Sequence, residues 1–93
     1  MNRNNIDKIA YISDILASKN NSSEISNFLI EMLTESELET LSKRWQILKM
    51  LAEGRTQRDI AKELKVSLCK VTRGSQILKN KNSIVAEYLK EIK

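Results

Sequence analysis

Residues 57–73 read QRDIAKELKVSLCKVTR, and the way this stretch folds decides the rest of the chain. Its apolar residues recur at helical spacing, not at the alternation of a strand. Thr56 is placed to cap a helix, with Asp59 as the acidic third residue of its first turn. That helix runs to Leu64. Lys65, Val66 and Ser67 then form a three-residue turn, and Ser67 caps a second helix. An eight-residue helix, a short turn and a second helix is the spacing of a helix-turn-helix. Ile60, Leu64, Val66 and Val71 are predicted to pack the two helices together. Ala61 falls where they cross, and a larger side chain there would hold them apart. If Lys65 takes a left-handed backbone, the turn carries a cost of about 1 kcal/mol.

Outside that contact lie Gln57, Arg58, Lys62, Ser67, Leu68, Cys69, Lys70 and Thr72. They are donors, cations and small groups, the chemistry that meets phosphates and base edges. Lys62, Lys70 and Lys79 are expected on phosphates, with Leu68, Cys69 and Thr72 toward base edges. An ordinary αα-hairpin has the same spacing; the basic surface and Ala61 favour the DNA reading. Gly74 interrupts the second helix, where glycine costs roughly 1 kcal/mol against alanine, and it stands beside Arg73.

Working outward, every periodic segment has helical period, and six helices are predicted in one domain, residues 1–93. The first spans about Asn5 to Lys19, with Ile6, Ile9, Ile15 and Leu16 in its stripe. The second spans about Ser23 to Leu33, capped by Ser22 or Ser23. Thr34 and Glu37 fit a capping box at the start of a long central helix, which Gly54 stops. Leu38, Leu41, Trp45, Leu48 and Leu51 form its stripe, with Trp45 read as core. A last helix covers about Ser83 to Ile92. Residues 1–33 thus read as dimerisation helices, 34–54 as the central helix, 56–79 as the DNA-reading unit and 83–93 as a C-terminal helix.

Composition narrows the function. The chain has 93 residues, no histidine and a single cysteine. The usual general bases, activated nucleophiles and zinc sets are nearly absent, so neither an enzyme nor a metal site is expected. Residues 1–42 hold three basic and seven acidic side chains, a net of −4; residues 43–93 hold thirteen and five, a net of +8. A basic half of this kind points to a polyanion partner. A chain this short makes a marginal core by itself, and oligomerisation would supply the missing burial. No apolar run approaches the ~18 residues that span a bilayer. A cytoplasmic setting is expected, and Cys69 is read as a small contact residue.

LTESELETLSKRWQILKMLAEG, followed by TQRDIAKELKVSLCKVTRGSQILK, resembles the bacterial Trp repressor family. VTRGS, late in the second helix, and Arg44 on the long helix are the specific features. The resemblance implies an all-α, six-helix fold, an intertwined homodimer, and a DNA-binding repressor of a palindromic operator with L-tryptophan as co-repressor. It implies that Arg44 and Arg73 lie over the two faces of the ligand's ring, and that Gly74 allows close approach. Thr34 would hold the ammonium group of a ligand in the partner subunit. Two departures stand out. Ile77 occupies a position where the family pattern has a hydroxyl, and EGRTQRD is one residue shorter than the tryptophan-sensing pattern. A related branch of the superfamily shares that shorter connection. Two alternatives therefore stay open: a DNA-binding regulator that needs no ligand, and a helical protein-interaction module.

Overall fold

A computed structural model describes residues 3–91, all helix and connection, with no strand among them. The six helices are α1 (Arg3–Ala17), α2 (Ser22–Met32), α3 (Glu35–Ala52), α4 (Gln57–Leu64), α5 (Leu68–Lys79) and α6 (Ile84–Glu91). Ile92, expected to close the last stripe, lies outside the described residues. The chain divides into two compact units, one ending at Ser36 and the other beginning at Glu37.

In the first unit, the cap of α2 is Asn21 and not the serines that follow it. Its side-chain oxygen accepts from the backbone N–H of Ser23 at 2.8 Å and of Glu24 at 3.3 Å. Three capping-competent residues compete here; the carboxamide of Asn21 reaches two orphan donors at once. The end of α1 and the face of α2 flank a groove of about 260 Å³ lined by Ile15, Leu16, Ile25 and Phe28. No residue of α2 is buried. Ile6, Ile9, Ile15, Ile30 and Met32 stay exposed.

The second unit has the core. Gly54 ends α3 at φ +89°. Arg55 N–H donates to Met50 C=O at 3.2 Å, and Gly54 N–H to Leu51 C=O at 3.0 Å. This pair of bonds is the Schellman arrangement, which satisfies helix-end carbonyls. Thr56 caps α4, its hydroxyl accepting from Asp59 N–H at 3.2 Å. Lys65 takes the left-handed conformation, φ 56° and ψ 46°, and turns the chain into α5. Ser67 caps α5 by accepting from Lys70 N–H at 3.4 Å. Ser83 accepts from Ala86 N–H at 3.1 Å at the start of α6.

Ile60 and Val71 are fully buried, 0% exposed, where α4 meets α5. Ile47 and Met50 of α3 join them, with Leu51, Ala61, Leu64 and Val66 packed around. The residues chosen from the sequence to join α4 and α5 are thus those that do. Gly74 is buried as well. A Cβ built there would stand 3.0 Å from Ile47 Cγ2 and 3.2 Å from Leu51 Cδ1. Glycine sits in mid-helix because α3 side chains occupy the space where a side chain would go. The propensity cost of roughly 1 kcal/mol is offset by contact between α3 and α5.

Trp45 departs from its core assignment: it is 38% exposed, and Leu41 is 45% exposed. At about 100° per residue, Leu38, Leu41 and Trp45 lie on one side of α3, whereas Ile47, Met50 and Leu51 lie on another. The helix has two apolar sides, and only the second meets this unit's core, with Leu48 buried at its edge.

Two substitutions probe this packing. Gly74→Val is expected to lower stability by about 1–3 kcal/mol through overpacking, read as a fall in Tm. Lys65→Gly should raise Tm, because glycine takes the left-handed conformation without the roughly 1 kcal/mol penalty.

Candidate ligand cleft and nucleic-acid face

α3, the Lys65–Ser67 turn and α5 enclose a cleft of about 320 Å³ within the second unit. From α3 come Glu39, Thr40, Lys43, Arg44 and Ile47. The turn supplies Lys65, Val66 and Ser67, and α5 supplies Lys70, Arg73, Gly74 and Ile77. The spacing explains the walls. Thr40, Arg44 and Ile47 lie at i, i+4 and i+7 on α3, and Lys70, Arg73, Gly74 and Ile77 repeat at three and four along α5, so each set shares one helical face.

Arg44, Arg73 and Gly74, predicted to bind a co-repressor, therefore line one cavity. Thr34 belongs to the first unit and is not among its walls. Ile77 lines the cavity, so an aliphatic group stands where the family pattern places a hydroxyl. Lys43 and Lys65 were missed as site residues. Helical spacing from Arg44 does not find them; they arrive because the turn after α4 comes up against α3.

The cleft is strongly cationic. Five of its twelve lining residues are Lys or Arg, and its one carboxylate, Glu39, lies 3.5 Å from Lys43 Nζ. Its apolar part is Ile47, Val66, Ile77 and the bare backbone at Gly74. A guanidinium beside such a surface attracts an aromatic face by roughly 0.5–2 kcal/mol and pairs well with a carboxylate.

The residues predicted to meet DNA sit on α4, on the turn and on α5. Arg58, Lys62, Ser67, Leu68, Cys69, Lys70, Thr72 and Lys79 are exposed, and Gln57 is half-buried. Two of them meet: Thr72 Oγ1 lies 2.9 Å from Gln57 Oε1, and 3.0 Å from Leu68 C=O. This contact ties the first turn of α4 to the second turn of α5. The Ser67 oxygen is engaged as the α5 cap. Lys70 is both a predicted phosphate contact and a wall of the cleft. Arg55, in the turn before α4, bonds Glu63 at 2.6 Å. That hydrogen bond holds the exposed Arg55 guanidinium above its ordinary pKa. Among the described residues, no helix is long and apolar enough to cross a membrane.

Thr72→Val removes the hydroxyl and keeps the shape. It is expected to cost about 0.5–1.5 kcal/mol in thermal unfolding, the usual net worth of a hydrogen bond. Glu63→Gln, at an exposed pair, should leave Tm within error.

Comparison with known proteins agrees with this architecture. The family described as Trp repressor protein matches residues 7–93. The Trp operon repressor homolog of Chlamydia caviae is 39% identical over 67 residues, covering 71% of this chain and 66% of the relative. The Trp operon repressor homolog of Chlamydia trachomatis serovar D is 38% identical over 60 residues, 63% of this chain and 64% of the relative. The chain thus spans just under two thirds of the length of these curated relatives. No solved structure matches it. The chain belongs to the Trp repressor family.

Proposed function

We propose that this member of the Trp repressor family is a sequence-specific DNA-binding transcriptional repressor, gated by a small co-repressor such as L-tryptophan. α4, the Lys65–Ser67 turn and α5 act as a helix-turn-helix. The observation that carries the reading is the shared cleft: Arg44 and Arg73 line it together with Lys70, a cation at the DNA-facing start of α5. A molecule held there touches the same segment that would meet the duplex. It would favour the DNA-competent orientation by binding that orientation better.

The working form is a homodimer. Supporting this are the apolar residues that one chain leaves exposed: Ile6, Ile9 and Ile15 on α1, Ile30 and Met32 on α2, and Leu41 and Trp45 on α3. A second copy would cover them and add burial to a small core. Two helix-turn-helix units related by a twofold axis bind a palindrome, with half-sites ~34–36 Å apart, the spacing of such dimers in general, Trp repressor included. Lys62, Lys70 and Lys79 hold phosphates, and Leu68, Cys69 and Thr72 face base edges, where a methyl or thiol suits a thymine methyl. The setting is the cytoplasm, and no enzymatic step is assigned.

One observation favours a second reading, a regulator that binds DNA without any ligand: Ile77 lines the cleft and offers no hydrogen bond to a ligand's amino group. The two readings separate in one experiment, fluorescence anisotropy of labelled palindromic duplexes at 50 mM salt with and without L-tryptophan. The gated repressor binds operator more tightly with tryptophan, and Arg73→Ala abolishes that response. The ungated regulator binds equally in both conditions. In either case Lys70→Ala should weaken binding to every duplex and lower the salt slope by about one. Sedimentation should give twice the 10.7 kDa chain mass.

A further inference from the structure

The charges of the cleft say which end of a small molecule it holds, and this inference rests on the reading of the cleft as the co-repressor site. Lys43, Arg44, Lys65, Lys70 and Arg73 line it, against the single carboxylate of Glu39, itself 3.5 Å from Lys43 Nζ. The other polar side chains are the hydroxyls of Thr40 and Ser67, and the Ser67 oxygen already accepts from Lys70 N–H at 3.4 Å. Ile47, Val66 and Ile77 complete the walls.

A carboxylate entering this cleft meets up to five cations and strong donors. An ammonium entering it meets the same five cations and no uncommitted carboxylate. It gives up water without gaining a charged partner, and burial of a charge without one is costly. The volume, about 320 Å³, stands at the small end of ligand clefts, which run from about 300 to 1,000 Å³. The geometry points to an organic acid as the ligand of this cleft: an apolar ring or chain bearing a carboxylate and lacking a compensating ammonium. An α-amino acid with the same ring is the weaker ligand.

Three compounds share one ring and differ only in charge: indole-3-propionate has the carboxylate alone, tryptamine the ammonium alone, and L-tryptophan both. Isothermal titration of the full chain at 50 mM salt is expected to rank indole-3-propionate first, roughly tenfold tighter than L-tryptophan, with no heat from tryptamine. Raising the salt to 300 mM should weaken indole-3-propionate more than L-tryptophan, because its binding draws on unbalanced charge. Arg73→Gln, at an exposed position, should weaken indole-3-propionate at least tenfold, and Ile77→Ser, which adds a hydroxyl, should narrow its lead over L-tryptophan. L-tryptophan binding as tightly as indole-3-propionate, or no binding by either up to millimolar concentration, overturns the proposal. Duplex anisotropy without any small molecule keeps the two readings apart. Duplex uptake without an indole-3-propionate preference sinks only the organic-acid proposal. The preference without duplex uptake supports that proposal and sinks the repressor.

Discussion

The second unit depends on the close approach of two helices that glycine alone permits. At Gly74 the side chains of Ile47 and Leu51 stand where a Cβ would be. With α3 seated there, Ile47 and Met50 reach the fully buried pair Ile60 and Val71, and α4 is held against α5. The same approach brings Arg44 of α3 to the cavity that Arg73 lines from α5. Core and cleft are thus two sides of one contact. The glycine that looks like a defect in helix propensity sets the distance on which both depend.

Around that contact, local chemistry fixes the ends. Thr56 and Ser67 cap the two short helices, and the Schellman pair at Gly54 closes α3. Each satisfies donors or acceptors that a helix terminus leaves open. The one left-handed non-glycine residue among those described, Lys65, joins the two short helices. Its strain is accepted because the turn delivers Val66 to the core's edge and places Lys65 itself beside the cleft. The other unit works differently: α1 and α2 keep large apolar side chains exposed, and no α2 residue is buried. Its stability as a lone chain is correspondingly small.

What the sequence made legible follows from range. The six helices, the turn at 65–67, the caps at Thr56 and Ser67 and the packing of Ile60, Leu64, Val66 and Val71 were readable, because each signal lies within a few residues of what it specifies. The α2 cap was misassigned because Asn21, Ser22 and Ser23 all have the chemistry, and only the actual entry angle of the chain selects one. Trp45 was placed in the core because a single stripe was drawn along α3, whereas the helix has apolar residues on two sides. Of the cleft, Arg44, Arg73 and Gly74 came from family resemblance. Lys43 and Lys65 did not, since their membership arises from α3 meeting a turn more than twenty residues away.

Ile47 belongs to three structures at once: it is buried in the core, it presses on Gly74, and it forms part of the cleft wall. An effort to retune the cleft for another molecule by altering Ile47 would therefore shift the interhelical distance and the melting behaviour together. Ile77 and Val66, half-buried and without contact to the glycine notch, offer separate handles. Selectivity in this scaffold is adjustable from the rim, while its floor is held in common with the fold.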